Sequence, residues 1–349
     1  MEYSIEITKL AEHSVPDTKN IPFGKVPTAH MFIAEYNNGG WHNARIVPFA
    51  DLVLSPLALC LHYGQTVFEG MKAFVMHDGR INIFRMDKHY DRFCKSLDRM
   101  CMPNVPKGLF TEAMHQLVSV DADWVPDEDE ASLYIRPFMI ASEGRIGVKI
   151  ADEYLFMIVC SPAYQYYTAP LKVKVETEYS RAADGGTGAA KCGGNYGGAF
   201  FPTQLARNHG YDQVLWTDAR NHDHIEESGT MNAMFYIDDT LLTPSLSGTI
   251  LDGVTRSSLL AIARNAGMKV EERTITLDEL KAAFTAGKRV EAFGAGTAAV
   301  VAPIESIAIG TDTYKCYTES DAVMYKLKHM LTDVRRGNVA DSFNWNYIL

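Results

Sequence analysis

Pairs of strand-like segments joined by short glycine-containing turns constrain the fold of this chain most strongly. The segments HMFIAEY and WHNARIVPF flank NNGG (37–40), and GMKAFVM and INIFR flank HDGR (77–80). Turns of this composition between strand-like segments are typical of antiparallel hairpins. Helical patterns at 86–101 and 109–121 follow, and then two further strand-like segments, SLYIRPFMIAS and EYLFMIVCS. Because strands and helices segregate instead of alternating as β-α-β units, the sequence predicts an α+β fold.

The stretch PAYQYYTAPL, residues 162–171, divides the chain. It contains two prolines, lacks helical and strand periodicity, and is followed by a new strand-like segment, KVKVETEY. A chain of 349 residues exceeds the size at which one hydrophobic core usually splits. We therefore predict a smaller N-terminal domain over 1–162, an interdomain loop over 163–172 and a larger C-terminal domain over 173–349. In the C-terminal domain we expect helices from about 197, from GVTRSS, at 277–286 and at 319–336, and one strand-like run over 289–304.

Composition and charge exclude several kinds of partner. The formal net charge is −10, without a long run of lysine or arginine, which argues against nucleic acid and against a membrane surface. The N-terminal residues lack the basic and apolar regions of a signal peptide. Six cysteines are scattered without a CxxC pair, so neither a disulfide framework nor a zinc site is indicated. We expect a cytoplasmic protein.

Three short motifs resemble well-known sites without meeting their requirements. GAGTAA (294–299) resembles a dinucleotide-binding fingerprint, but the following VVAPI favours a strand instead of the required helix. GGTGAAKC lacks the GK[ST] ending of a phosphate-binding P-loop. In NHDHIEE (221–227), His222 and His224 have no distant partner motif, so we interpret them as turn residues and not as metal ligands.

Lys191, in AAKCGGNYGG (189–198), is the leading candidate for chemistry. Most lysines lie in solvated loops, but alanines and glycines flank this one, and Tyr196 follows five residues later. An amine partly withdrawn from water can form a covalent bond to a carbonyl carbon. EESGTMN (226–232) adds a carboxylate two residues before a glycine, although a plain turn before a strand would have the same pattern.

Two further segments favour anion binding. In LDGVTRSS (251–258) a glycine precedes a helix start, so the N–H groups of Val254 and Thr255 could face an anion, although ordinary capping is the commoner case. Thr297 and Ala298 offer N–H groups in a glycine-rich turn. Arg136 lies in an otherwise apolar strand pattern, where a charge requires an anionic partner. Together these residues indicate two anion sites near an amine and a carboxylate.

The motifs together resemble one family. YGQTVFEGMKAF, YIRP, KCGGNYGG, EESGTMN, GVTR and FGAGTAA have the order and spacing of branched-chain amino-acid aminotransferases. These are fold-type IV enzymes that use pyridoxal 5'-phosphate (PLP). The resemblance extends from about Phe23 to the NW near the C-terminus, and it implies a barrel-like sheet in the C-terminal domain. It also implies reversible transamination of L-leucine, L-isoleucine and L-valine with 2-oxoglutarate.

The resemblance assigns cofactor roles residue by residue. Lys191 resembles the catalytic lysine that joins the cofactor covalently. Tyr196 resembles the tyrosine that binds the ring hydroxyl of PLP, and Glu227, in the family spacing E-x-G-T-x-N, resembles the glutamate that faces the pyridine nitrogen. The residues implied to bind the phosphate are Arg92, Val254, Thr255 and Thr297.

The resemblance also implies a substrate pocket and a homodimer. The backbone amides of Thr297 and Ala298 would receive the α-carboxylate of the substrate. The implied side-chain pocket consists of Phe23, Phe68, Tyr134, Arg136, Tyr166 and Thr230. Tyr63, Ile146 and Val148 would reach into the pocket of a partner subunit.

Two departures from the family pattern limit what carries over. Eukaryotic members have a CxxC pair after the GTA turn, but here residues 299–302 read AVVA, so we expect no thiol switch there. The loop SPAYQYY differs from the usual SPVGAYY, which leaves the shape of that side of the pocket open.

Two other families remain as alternatives: D-amino-acid aminotransferases and aminodeoxychorismate lyases share the chemistry but lack EGMKAF and SGTMN. A cofactor-free binding protein with this fold is a further alternative.

Overall fold

The structure of the chain is a computed structural model that describes residues 4–11, 13–17, 19, 21–164 and 166–349. Gln165, in the predicted interdomain loop, lies outside the described residues. The elements of the N-terminal half begin with three strands, β1 (Glu6–Ile7), β2 (His30–Asn37) and β3 (Gly40–Pro48). The remaining elements of this half, in chain order, are α1 (Leu59–Tyr63), β4 (Thr66–Phe68), β5 (Met71–Val75), β6 (Ile81–Phe84), α2 (Met86–Arg99), α3 (Lys107–Val120), a 3-10 helix (Ala122–Trp124), β7 (Ser132–Ala141) and β8 (Tyr154–Ala163).

The C-terminal half contains ten strands and four helices among the described residues. The strands are β9 (Leu171–Glu176), β10 (Gln213–Thr217), β11 (Ile225–Ser228), β12 (Met231–Ile237), β13 (Thr240–Thr243), β14 (Lys269–Glu272), β15 (Val290–Gly296), β16 (Val300–Ile309), β17 (Asp312–Lys315) and β18 (Asn346–Ile348). The helices are α4 (Gly194–Asn208), α5 (Val254–Asn265), α6 (Leu277–Thr285) and α7 (Val323–Arg336).

The chain divides into two compact units. The first consists of Met1–Tyr166, Ala190–Gly194 and Val334–Leu349, and the second of Tyr167–Ala189 and Asn195–Asp333. Two segments of the predicted C-terminal domain, 190–194 and 334–349, therefore belong to the first unit. The reason is strand pairing: residues 191–193 lie along β4, and β18 pairs with β6.

The first unit contains a nine-stranded sheet in the order β1-β3-β2-β8-β7-β5-β6-β18, with β4 also paired to β7. The predicted hairpins are present: Asn37 pairs with Gly40 across a two-residue turn whose residues, Asn38 and Gly39, both have positive φ. Helices α2 and α3 bury apolar side chains against the sheet. Phe93 of α2 and Phe110 of α3 both contact Phe156 of β8, with ring centroids 5.7 and 6.1 Å away.

The second unit is built on a closed barrel of six strands. The ring runs β11-β10-β9-β16-β15-β12 and closes because β12 also pairs with β11. Its core includes Val173, Leu215, Phe235 and Ala292, all at most 2% exposed, and Leu280 of α6 packs on the same cluster. The predicted fold class, α+β with a barrel-like sheet in the C-terminal part, is confirmed.

The strand-like run 289–304 is a hairpin of two strands, and the predicted turn with Thr297 and Ala298 joins them. Strand β15 ends at Gly296, which pairs with Val300 at the start of β16, so residues 297–299 form the turn. Val300 has φ of +63°, a conformation that β-branched residues rarely adopt. As predicted, a strand and not a helix follows the GAGTAA motif, so the dinucleotide-binding interpretation fails.

Candidate active site

Lys191 is held in the first unit by backbone pairing with β4. The N–H of Phe68 donates to the carbonyl of Lys191 (3.0 Å), and the N–H of Gly193 donates to the carbonyl of Thr66 (3.3 Å). A Cβ at Gly193 would lie 2.5 Å from Oγ1 of Thr66, so this glycine permits the close approach of the two segments. The N–H of Lys191 also donates to Oγ of Ser96 in α2 (2.9 Å). The lysine backbone is thus fixed between a strand and a helix.

The side chain of Lys191 meets a cluster of aromatic rings and one arginine. Its Nζ lies 4.7 Å from the ring centroid of Phe68, and Cζ of Arg136 lies 4.7 Å from the same ring. Arg136 Nη2 donates to the hydroxyl of Tyr134 (2.9 Å), because residues two apart in β7 lie on one face of the sheet. The Nε of Arg136 is buried and has no hydrogen-bond partner among the described residues.

Two more aromatic residues predicted for the pocket extend this cluster. Phe23 packs edge-on against Tyr134 and Tyr166, with ring centroids 4.8 and 5.2 Å away. A Cβ at Gly70 would overlap the hydroxyl of Tyr134, so the glycine of EGMKAF makes room for that ring. The structure therefore brings together six of the predicted residues, namely Phe23, Phe68, Tyr134, Arg136, Tyr166 and Lys191.

Arg92 lies in α2, 5% exposed, and is ion-paired with Glu69. Its Nε and Nη2 donate to the two carboxylate oxygens of Glu69 at 2.6 and 2.9 Å. Helix α2 also connects Arg92 to the lysine segment, because Ser96 Oγ donates to the Arg92 carbonyl (3.0 Å) and accepts from Lys191.

The three residues predicted to reach a partner subunit are exposed on the first unit. Tyr63, Ile146 and Val148 are 42%, 63% and 78% exposed. The hydroxyl of Tyr63 donates to the carbonyl of Ile146. Leu61 and Val53 are also exposed large apolar residues of this unit.

Glu227 is held in the barrel of the second unit and is 3% exposed. Its Oε1 accepts from the N–H of Leu251 (2.8 Å), and its Oε2 lies 3.3 Å from Nε of Arg181. Asn232 is the cross-strand partner of Glu227, and its side chain donates to the carbonyl of Leu251 (2.9 Å). Two residues of the E-x-G-T-x-N motif thus fix Leu251, which lies just before α5.

The predicted anion-binding segments lie at the start of α5 and in the β15–β16 turn. Helix α5 begins at Val254, followed by Thr255, and within the part of the chain described no side chain caps its start. Asn232, the last residue of the E-x-G-T-x-N motif, pairs with Ala295 of β15. The turn with Thr297 and Ala298 comes directly after β15 and therefore follows a strand that is paired with the motif.

Tyr196 and Thr230 complete the predicted set. Tyr196 is half-buried in α4, and Thr230 is exposed in the turn between β11 and β12. The turn needs Gly229, whose φ is +58°. The predicted residues of the second unit are therefore Tyr196, Glu227, Thr230, Val254, Thr255, Thr297 and Ala298.

The neighbouring Glu226 differs from Glu227 in its surroundings. Adjacent strand residues point to opposite faces, and Glu226 accepts a hydrogen bond from Thr249 (2.5 Å). Burial raises the pKa of Glu226, and its Oε2 has no hydrogen-bond partner in the described chain. Glu227, whose Oε2 lies 3.3 Å from Nε of Arg181 and whose Oε1 accepts a backbone N–H, is the better candidate for an ionised carboxylate.

Asp218 organises the histidine-rich loop. Its carboxylate accepts four backbone N–H groups, from residues 220, 221, 223 and 224. Burial tends to raise its pKa, but these hydrogen bonds outweigh burial and lower the pKa. Asp218, Asp223 and His224 lie close enough to hold a metal ion, but the Asp218 oxygens are already engaged. His222 contacts Thr217 at 3.0 Å, in keeping with its interpretation as a turn residue.

Sequence reasoning missed five residues that support the predicted ones. Glu69 and His89 flank Arg92, and Arg181, Asn232 and Leu251 contact Glu227 or its loop. A charge within the apolar VFEGMKAF was the available signal for Glu69, by the argument applied to Arg136. Arg181 and Leu251 gave no comparable signal.

The fold and the lysine-centred cluster define a class of protein, which the family comparison identifies. Residues 66–307 match the model of the family "Amino-transferase class IV", and the chain belongs to this family. It is 44% identical over 336 residues to the Branched-chain-amino-acid transaminase 1 of Bacillus subtilis strain 168, an alignment covering 95% of this chain and 94% of that protein. The resemblance inferred from the motifs is confirmed.

Solved structures share the fold of this chain. The branched-chain aminotransferase of the archaeon Thermoproteus uzoniensis with norvaline has a TM-score of 0.75 and 24% identity, covering 91% of this chain and 99% of that chain. The branched-chain amino acid aminotransferase of Thermobaculum terrenum in its PLP-form has a TM-score of 0.76 and 21% identity, covering 92% of this chain and 98% of that chain. The fold-type IV assignment is confirmed. Among the described residues, no helix is long and apolar enough to cross a membrane.

Proposed function

We propose that this protein is a branched-chain aminotransferase. It would transfer the amino group of L-leucine, L-isoleucine or L-valine to 2-oxoglutarate, giving branched 2-oxo acids and L-glutamate in two reversible, ping-pong half-reactions. The single observation that carries the proposal is the contact of Lys191 Nζ with the Phe68 ring, next to Arg136. An amine, an apolar surface and a cation lie within one cluster. The apolar surface suits the aliphatic side chain of a branched amino acid, and the cation suits the γ-carboxylate of 2-oxoglutarate.

The cofactor of the proposed reaction is PLP. Bound PLP would supply an electron sink for the charge that develops at the substrate Cα. The residues fit this group: the Lys191 amine for the aldehyde, the Tyr196 hydroxyl for the ring hydroxyl, and the Glu227 carboxylate as acceptor for the protonated pyridine nitrogen. The residues proposed for the phosphate are Arg92, Val254, Thr255 and Thr297. In support, α5 starts without a side-chain cap in the described chain, as expected where an anion takes the cap's place.

Two residues would control protons. Once the substrate amine has replaced it, the Lys191 amine would act as general base and move the proton from the substrate Cα. Glu227, ionised beside Arg181, would hold a proton on the pyridine nitrogen. The ion pair with Arg181 supports this assignment, because a cationic neighbour favours the charged carboxylate.

Arg136 would allow one pocket to accept both substrates. The rings of Phe68, Tyr134 and Phe23 offer apolar surface to an aliphatic side chain. The γ-carboxylate of 2-oxoglutarate would instead bind Arg136, whose buried Nε lacks a partner in the described residues. A buried donor without a partner costs free energy, which a carboxylate would recover.

We further propose a homodimer that acts in the cytoplasm. Tyr63, Ile146 and Val148 would complete the pocket of the partner subunit, and their exposure supports a covered surface in the assembly. The backbone amides of Thr297 and Ala298 would bind the α-carboxylate, and Thr230 and Tyr166 would line the remaining sides of the pocket.

A substrate panel tests the proposed activity. L-leucine, L-isoleucine, L-valine and D-alanine are each offered with 2-oxoglutarate, and L-glutamate formation is measured. We expect turnover of the three branched L-amino acids. Preference for D-alanine, or no turnover of any branched substrate, would refute the proposal in favour of another fold-type IV enzyme.

A spectroscopic experiment tests the cofactor assignment independently. Borohydride should reduce the bond between Lys191 and PLP and abolish the visible absorption band of the protein. Lys191→Ala cannot form this bond, so it should lack the visible absorption band that borohydride abolishes in the unmodified protein. A band that is insensitive to borohydride in the unmodified protein would contradict the role of Lys191.

A further inference from the structure

Glu69 follows β4 directly and is completely buried. Its two oxygens accept from Nε and Nη2 of Arg92 at 2.6 and 2.9 Å, which fixes the plane of the guanidinium. Glu69 thus joins the end of the strand that pairs with the Lys191 segment to the helix that carries Arg92.

Further donors hold the carboxylate itself. His89 Nδ1 lies 2.8 Å from Oε2 of Glu69, and the N–H of Gly70 donates to the same oxygen (3.1 Å). Burial alone would raise the pKa of Glu69, but the charge and hydrogen bonds of Arg92, together with the hydrogen bond of His89, hold this pKa well below its usual range. Burial lowers the pKa of His89 more than Glu69 raises it, so a neutral imidazole donates from Nδ1.

Stability alone is a weak reason for such an arrangement. A buried ion pair often contributes little net stability, because the desolvation of both charges offsets their attraction. An arginine side chain has many rotamers, and a bidentate carboxylate removes most of them before any ligand binds. The pair therefore has more to contribute to orientation than to folding.

The place of the pair in the fold indicates what is oriented. Helix α2 carries Arg92 and, one turn later, Ser96, whose Oγ accepts from the N–H of Lys191. Strand β4 pairs with the Lys191 segment and continues directly into Glu69. The same strand and helix thus fix the lysine that would join the cofactor and the arginine that would bind its phosphate.

We propose that Glu69 is a positioning residue for cofactor binding: it holds the Arg92 guanidinium, with His89 as its support, in the orientation that receives the phosphate of PLP. This inference rests on the proposed function. It predicts that Glu69 matters for ligands with a phosphate and hardly at all for the same ring without one.

The test compares PLP with pyridoxal, which has the same ring and aldehyde but no phosphate. The full chain, freed of cofactor, is titrated with each ligand, and Kd is measured from absorbance. In Glu69→Gln we expect Kd for PLP to rise about 10- to 100-fold and Kd for pyridoxal to rise less than about 3-fold. Equal changes for the two ligands, or a tighter binding of PLP, would overturn the proposal.

A double variant shows whether Glu69 acts through Arg92. If it does, Glu69→Gln combined with Arg92→Met should lose no more preference for PLP over pyridoxal than Arg92→Met alone. A fully additive loss would contradict the positioning role. If Glu69→Gln does not fold, His89→Gln decides, with an expected phosphate-specific loss of about 3- to 10-fold.

Asp121→Asn is the matched control. Asp121 is also fully buried and pairs with a histidine, His30, at 2.6 Å in the same unit. It should lower thermal stability without changing the ratio of the two Kd values, and a similar change of ratio would refute the inference. Failure of the unmodified protein to bind PLP would instead refute the proposed function, so the two failures are distinguishable.

Discussion

Replacement of Arg136 should separate the two half-reactions of the proposed enzyme. In the unmodified protein, Cζ of Arg136 lies 4.7 Å from the ring centroid of Phe68. Arg136→Met removes the guanidinium but keeps an unbranched apolar chain that can still pack on this ring. Arg136→Ala removes both. The 2-oxoglutarate half-reaction should lose a hydrogen-bonded ion pair, whereas the leucine half-reaction should lose only packing.

The magnitude follows from the surroundings of the guanidinium. A hydrogen bond to a charged group contributes about 1.5–3 kcal/mol, which corresponds to about a 10- to 150-fold change in kcat/KM. We expect a loss in this range for 2-oxoglutarate in both variants. For leucine, Arg136→Met should change kcat/KM less than about 3-fold, because its stem replaces most of the lost contact.

Single-turnover measurements of each half-reaction test this prediction. The enzyme loaded with PLP is mixed with leucine, the aminated enzyme is mixed with 2-oxoglutarate, and the absorbance change is followed. Tyr134→Phe is an informative companion, because it removes the hydroxyl that accepts from Arg136 and keeps the ring. It should give a smaller loss in the same direction. Equal losses in both half-reactions of Arg136→Met would refute the reasoning.

Three further predictions concern stability and thiol chemistry. Because the pKa values of both Glu69 and His89 are lowered in the folded chain, their contributions are complete at neutral pH. Denaturant unfolding should show stability falling below about pH 6.5, as unfolded His89 takes up a proton, and again below about 4.3 for Glu69. Gly253→Ala should lower the free energy of unfolding by about 1–3 kcal/mol, because its Cβ would overlap Oδ1 of Asn232. Titration with a disulfide reagent should modify the exposed Cys101 first.

Controls for these predictions are available in the same chain. In His89→Gln the fall in stability that begins below about pH 6.5 should be smaller. An unchanged dependence of stability on pH would contradict the assignment of this fall to His89. Gly248→Ala, where an added Cβ would meet no atom within 4 Å in the described structure, should leave stability nearly unchanged. Burial raises the pKa of Cys316 to about 12, so its thiol should react only after unfolding. Its early modification in the native protein would refute that prediction.

The sequence was most informative where one local pattern decides the structure. The helix predicted over 86–101 spans Met86–Arg99, and that over 319–336 spans Val323–Arg336, because apolar periodicity marks the buried face. In the run 289–304 the glycine-rich GAGTA segment indicated a turn with Thr297 and Ala298, but the β-branched residues around it did not show where each strand begins and ends. Short strands such as β4 and β18 were missed because a few residues carry too little periodicity, and distant partners determine their pairing.

The candidate site shows the same limit. The sequence pointed to Lys191 and Arg136 because each is a charged group in a small or apolar context. Glu227 was selected over Glu226 only by the family spacing E-x-G-T-x-N. Their supports gave weaker signals: Arg181 pairs with Glu227 from 46 positions earlier in the chain, and the sequence does not show such proximity. The roles of the site residues in binding PLP and substrate stay predictions, which the substrate panel and the ligand titrations test.

The pairing of β18 with β6 affects how the protein folds during synthesis. Asn82, in β6, hydrogen-bonds Asn346, which lies 264 positions later, so this edge of the first sheet is completed only when the last strand has been made. The barrel strands, within 171–309, are all synthesised earlier. For that interval β6 is an open edge that can pair with another nascent chain. Slower translation of the segment between β17 and β18 should therefore increase aggregation, and a chaperone that covers strand edges should reduce it.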